Sequence, residues 1–173
     1  LAQLALQDTL TRLPNRILLE DRVDQAISKA DREGTHFALM FMDLDGFKAI
    51  NDAYGHDVGD KLLVAVTQRL LLLLKGQFTL ARIGGDEFVL LAEGEGPDDA
   101  ASLANSLVRA IDSPFNLDPY ELMVTLSIGI AFYPHDGKTE RELMFNADAA
   151  MYHTKHMGRN GYHFFQPSMN TLA

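Results

Sequence analysis

The chain has 173 residues, 47% of them hydrophobic, and a net charge of −9. That is the size of one domain with enough apolar mass for a core, which excludes a disordered chain, and its acidity disfavours nucleic-acid backbones and anionic membranes. No cysteine is present, so disulfides and thiolate metal sites are excluded and a reducing compartment is suited.

Residues 1–7 are apolar and read as the end of an incoming linker helix. Residues 8–16 form a turn. A helix follows over 17–33, with Ile17, Leu18, Val23, Ala26, Ile27 and Ala30 near helical spacing and Gly34 closing it. The unbroken apolar run 37–42 reads as a central strand. Residues 43–59 are polar, glycine-bearing and aromatic, and a second long helix is predicted over 60–74. Strands are predicted over 79–83 and 88–92, joined by a turn at Gly84-Gly85. A loop at 93–97 leads to a helix over 98–111 with an acidic first turn. Residues 115–136 are strand-rich. Thr139-Glu140-Arg141-Glu142 reads as a capping box opening a helix to His156, and 162–165 as a last edge strand. Strands interleaved with helices indicate an α+β fold. The apolar runs, 70–74 among them, are too short to cross a bilayer, and no signal segment opens the chain. The first residue is Leu1 rather than Met, which points to a piece of a longer chain.

The most informative segment is Arg82-Ile83-Gly84-Gly85-Asp86-Glu87-Phe88-Val89. Glycines at a two-residue turn supply positive φ and leave the backbone bare for a bulky ligand. Two acids then run directly into an apolar strand, which calls for a positive partner such as a metal ion. Upstream, the strand at Phe41-Met42 runs into Asp43-Leu44-Asp45. Alternate strand residues share a face, so both aspartates can point one way, although turn residues after a strand give the same pattern. Asn51 can donate and accept, and Asp60 accepts only. A carboxylate pairs with guanine N1-H and N2-H but is left unpaired against adenine; Asp60 equally suits a helix N-cap. Lys155 and Arg159 flank Gly158 at the end of the last helix, where cations favour the dipole or could hold phosphates. His153 and His156 lack a third ligand and read as a surface pair. No G-x-x-x-x-G-K-[ST], H-E-x-x-H or G-x-S-x-G motif is present.

Gly84-Gly85-Asp86-Glu87-Phe88 resembles the signature of the GGDEF family, the diguanylate cyclases that join two GTP molecules into cyclic di-GMP. The resemblance runs from about Asp8 to Phe165. It includes the opening segment 8–16, with Arg12 where glycine is usual, and the segments 126–131, 146–152 and Lys155-x-x-Gly158-Arg159-Asn160. It implies a palm-like fold, a central, mostly antiparallel sheet flanked by helices, over 8–166, with 167–173 a tail toward a further domain. It implies Mg²⁺ or Mn²⁺ held by Asp43, the Leu44 carbonyl and Asp86. Asp86 and Glu87 would act on the attacking hydroxyl, and Lys48 would stabilise the transition state. Asn51 and Asp60 would contact guanine, Lys155 and Arg159 the β- and γ-phosphates, and Gly84 and Gly85 the nucleotide. It further implies a homodimer for catalysis, adjacent sensor and EAL domains, and a cytoplasmic location. A GTP-binding regulator with little turnover is the competing reading. One departure stands out: the family's inhibitory Arg-x-x-Asp product site corresponds to Lys75-Gly76-Gln77-Phe78, where Phe78 replaces the carboxylate.

Overall fold

The computed structural model describes residues 5–171. Leu1–Leu4 of the expected linker helix lie outside them; Ala5 and Leu6 are not helical, and Gln7 bridges to Pro14. Helix α1 spans Arg16–Glu33. Asn15 caps it, its side-chain oxygen accepting from the Leu18 N–H at 3.2 Å, and Gly34 ends it at φ 69°. Strand β1 spans Phe37–Asp45, longer than the apolar run, and is buried throughout except at half-buried Asp43. Burial on both faces is why it reads as a continuous apolar run rather than an alternation.

Two helices occupy the stretch read as irregular. Helix α2 spans Phe47–Tyr54 and α3 spans His56–Leu73. Gly46 and Gly55, at φ 84° and 92°, punctuate them. The sequence hides α2 because it is only eight residues long between two glycines, although Phe47 and Ile50, one turn apart, face the same core. Gly59 disguises the start of α3. It is there for contact, because a Cβ on it would stand 1.8 Å from Asn51 Oδ1. Asp60 is therefore the fifth residue of α3 and not its N-cap, which is Gly55.

Strands β2 (Phe78–Gly84) and β3 (Glu87–Glu93) form the hairpin. Gly84 pairs with Glu87, so the two turn residues are Gly85 and Asp86, one position beyond the expected Gly84-Gly85. Register shifts between Arg82 and Gly84, leaving Ile83 as the extra residue of a bulge. Then come α4 (Pro97–Ile111), a small hairpin of β4 (Phe115–Leu117) and β5 (Tyr120–Leu122), β6 (Thr125–Tyr133), α5 (Glu140–His156) and β7 (Gly161–Phe164). Thr139 caps α5 by accepting from Glu142 N–H, while Glu142 reaches back to Lys138 N–H.

The main sheet is ordered β2-β3-β1-β6-β7. All its pairings are antiparallel except β6 with β7, so the fold is α+β with a central, mostly antiparallel sheet. Successive β1 side chains go to opposite cores. Ala38, Met40, Met42 and Leu44 join α3 and α4; Phe37, Leu39 and Phe41 join α1 and α5. Helix α5 lies directly on β6, because Gly129 brings no side chain between them. A Cβ there would meet Met151 N at 2.0 Å and Ala147 O at 2.2 Å. Among the described residues, no helix is long and apolar enough to cross a membrane.

Candidate active site

Asp43 and Asp45 follow Phe41 on the face of β1 that α5 covers, and both meet the last helical turn of α5. Lys155 Nζ stands 3.1 Å from Asp43 Oδ2 and 3.3 Å from Asp45 Oδ1. The two carboxylates otherwise differ. Asp45 is buried and saturated: it accepts from the hydroxyls of Thr125 (2.7 Å) and Ser127 (2.8 Å) and from Asn160 N–H (3.2 Å). Asp43 Oδ1 is buried and has no hydrogen-bond partner. A buried carboxylate oxygen with no donor is unfavourable by about 1–3 kcal/mol or more, and a bound cation removes that penalty.

The hairpin brings a second acid to the same place. Leu44 N–H donates to the Asp86 carbonyl at 3.3 Å, fixing the turn against the end of β1. Burial first, then proximity to the Asp43 carboxyl, pushes Asp86 from 3.8 up to about 7, with Lys155 working the other way. Carboxyls crowded together at a half-buried corner mark a site short of positive charge. Glu87 is paired with Asp43 across β1 and β3. Its pKa is also raised, by burial and then by Asp43 and Asp148, with Arg16 and Lys155 opposing. Burial works to lower Lys155, but Asp43 and Asp45 outweigh it and its pKa is raised.

These donors are hard oxygens, which fit Mg²⁺ or Mn²⁺. Among the described residues, no group of three or more His, Cys, Asp or Glu is placed to hold a metal ion unaided. A magnesium ion does not need one, since it keeps waters and takes substrate phosphates beside one or two carboxylates.

Two members of this cluster carried no role in the sequence reading. Asp148 on α5 is raised by burial and then by Asp43, with Arg16 at the start of α1 lowering it. The available signal was that Asp148 and Lys155 are seven residues apart, two turns along one face of a helix. Arg16 had no such signal, because it arrives from the far end of the chain.

The remaining predicted residues surround this corner. Lys48 is exposed on the first turn of α2. Arg159 is 61% exposed, its Nε 3.9 Å from Asp45 Oδ1. Gly84 and Gly85 have open space where a Cβ would stand. They border a hollow of about 470 Å³, together with Asp8, Arg16 and Arg82, that Asp43 and Asp86 do not line. Arg82 ties this region together, donating to the Gly85 carbonyl at 2.8 Å and to Asp8 at 3.0 Å. Asn51 Oδ1 is buried against Gly59 without a partner. Asp60 is exposed and lines a separate groove of about 360 Å³ with Leu10, Val64 and Leu117. His153 packs edge-on to His163, and His156 to Tyr152.

The family model described as "Diguanylate cyclase, GGDEF domain" matches residues 5–161. The chain belongs to the GGDEF family. It is 58% identical over 173 residues to MucR of Pseudomonas aeruginosa, a bifunctional diguanylate cyclase/cyclic di-GMP phosphodiesterase, covering all of this chain and 25% of MucR. NbdA of the same organism, a cyclic di-GMP phosphodiesterase, is 39% identical over all of this chain and 22% of its own length. The diguanylate cyclase TpbB, also from P. aeruginosa, is 40% identical over 92% of this chain and 37% of TpbB. The solved GGDEF domain of TpbB superposes with a TM-score of 0.92 at 34% identity, covering 96% of this chain and 98% of that one. The chain thus spans about a quarter of MucR and NbdA.

Proposed function

We propose that this GGDEF domain is a diguanylate cyclase, condensing two GTP into cyclic di-GMP with release of two pyrophosphates. The observation that carries the reading is the unpartnered Asp43 Oδ1 at the corner where burial and Asp43 raise the pKa of Asp86, a site that lacks positive charge. Asp43, Asp86 and the Leu44 carbonyl would hold Mg²⁺ or Mn²⁺. When bound, such ions lower the pKa of a coordinated hydroxyl and draw charge from phosphate oxygens.

The chain's own residues do the rest. Each protomer binds one GTP, and two protomers face each other about a two-fold axis. That brings each ribose 3′-hydroxyl against the other nucleotide's α-phosphate, a positioning contribution more than a chemical one. Asp86, helped by Glu87, takes the 3′-hydroxyl proton. The 3′-oxygen forms its bond to the α-phosphorus as the bond to the bridging oxygen breaks, and pyrophosphate carries the electron pair away. Lys155, Arg159 and Lys48 offset the phosphate charge. Asn51 and Asp60 hold guanine, Asp60 by accepting from N1-H and N2-H. We place the reaction in the cytoplasm, beside sensor and EAL domains of a longer protein.

The test is incubation of the chain with GTP and Mg²⁺ or Mn²⁺ at high protein concentration, with cyclic di-GMP as the readout. A second reading is favoured by NbdA, whose name gives only the phosphodiesterase activity. In it, the domain binds GTP and regulates a neighbouring domain without turnover. GTP binding with no cyclic di-GMP, even when the domain is forced to dimerise, would select that reading.

A further inference from the structure

Asp45 sits two residues from Asp43 and on the same face of β1 and shares Lys155 with it, yet both its oxygens are occupied where Asp43 has one unpartnered. We infer that Asp45 is a positioning residue: it fixes Lys155 and the turn after α5 in the place from which they meet the nucleotide's terminal phosphates. The inference rests on the proposed GTP site and adds a residue to it.

The turn needs holding. Gly158, Arg159 and Asn160 follow one another at φ 117°, 63° and 50°. Glycine and asparagine tolerate left-handed backbone, but Arg159 is neither, and at such a residue that conformation persists only where the surroundings impose it. The restraint on the far side is Asp45. Its Oδ2 accepts the backbone N–H of Asn160 at 3.2 Å, and its Oδ1 lies 3.9 Å from the Arg159 Nε. On the near side, Arg159 N–H donates to Thr154 O at 3.0 Å, so the turn is pinned to α5 and to β1 together. Asp45 is itself immobile, because Thr125 and Ser127 on β6 both donate to it and it is 6% exposed.

Lys155 divides its ammonium between the two aspartates. Asp43 is the one with an unused oxygen, and Asp45 is the one with none. When a cation takes Asp43, Lys155 still has Asp45 to hold it at the corner, with donors left to face phosphate. A carboxylate already accepting four partners has little capacity left to ligate a metal, so the two members of this Asp-x-Asp pair divide the work.

Asp45→Asn keeps the shape and removes the charge. Calorimetry with Mn²⁺ alone should give an affinity within about threefold of the parent, whereas Asp43→Asn loses binding. With 3′-deoxy-GTP, which lacks the attacking hydroxyl, Asp45→Asn should bind about tenfold more weakly, roughly 1.4 kcal/mol. GMP, which lacks the terminal phosphates, should bind unchanged. Loss of Mn²⁺ binding to the extent seen in Asp43→Asn would make Asp45 a ligand and overturn the inference. Equal weakening of GMP and 3′-deoxy-GTP would reduce its role to general stability. If the parent binds no guanine nucleotide, the proposed function fails by itself, and hydrogen exchange still decides the positioning. The amides of residues 159–161 should exchange at least about tenfold faster in Asp45→Asn and at the parent rate in Asp43→Asn. Unchanged exchange in Asp45→Asn overturns the inference. Should Asp45→Asn not fold, Ser127→Ala removes one of its donors and should shift the same readings in the same direction, by less.

Discussion

The two ends of the proposed nucleotide site are built differently. At the phosphate end, Asp43, Asp86, Glu87, Asp148 and Lys155 are already gathered at a half-buried corner, their charges strained against one another. At the base end little is assembled. Asp60 is exposed on α3, and Asn51 presses an unpartnered oxygen on Gly59. The contrast follows from the elements that carry them. The corner stands where β1, the hairpin turn and α5 meet, so the core fixes it. The base end lies on two helices outside the sheet. Under the proposed function, chemistry that depends on charge placement would thereby be preorganised, and recognition of guanine would be left to be completed by the ligand.

The largest effects should come from the corner. Asp43→Ala or Asp86→Ala is expected to lower cyclic di-GMP formation by at least about a hundredfold, given the several kcal/mol that metal-assisted charge stabilisation supplies. Circular dichroism should show both variants folded. Near-parent activity in either, with the parent active, would remove the division between the two ends.

A second guanine acceptor is missing beside the hairpin, which sharpens the picture of the base end. Phe78 packs against the core and Lys75 is exposed. Without the carboxylate, a product guanine loses a pair of charge-assisted hydrogen bonds, about 3 kcal/mol or on the order of a hundredfold in affinity. Lysine also lacks arginine's bidentate fork. Titration with cyclic di-GMP is expected to show no sub-micromolar site there; such a site, if lost in Lys75→Ala, would contradict this.

Asp60→Ser should narrow the preference for GTP over ATP by about tenfold in calorimetry, the value of one charged hydrogen bond. Equal affinity of the parent for both nucleotides would instead remove Asp60 from base recognition.

The smallest effect is on stability. Asp86 has a folded pKa of about 7 against 3.8 ordinarily. Between those values the folded chain holds a proton that the unfolded chain has released. The contribution is therefore full below about pH 4 and is lost as pH rises through 7. With chelator present, Asp86→Asn should melt higher than the parent at pH 8, with the gap closing toward pH 4. A gap independent of pH would mean that Asp86 is not charged against its neighbours.

The sequence makes some of this legible and hides the rest for physical reasons. Strand β1 shows as an apolar run because both its faces are covered. Helix α2 is hidden because it is only eight residues long and is bounded on both sides by glycines, Gly46 and Gly55. The start of α3 is hidden because Gly59 serves a contact with α2 that no local rule predicts. In the candidate site, the acids of the hairpin and of β1 are visible as short patterns. Asp148 and Arg16 enter only through the packing of α5 and α1 on the sheet, and the difference between Asp43 and Asp45 depends on hydroxyls eighty residues away.

Gly129 sets a dimension of the molecule. Because backbone touches backbone where α5 crosses β6, the gap between them cannot relax by a change of rotamer. The distance from the sheet to the helix that carries Asp148 and Lys155 is thus gauged by a missing methyl group, opposite Phe41 and two residues back along β1 from Asp43. Side chains at the corner can be exchanged and tested one by one. The ruler that holds them to scale admits no larger mark, and adding a single carbon there would move a whole wall of the site at once.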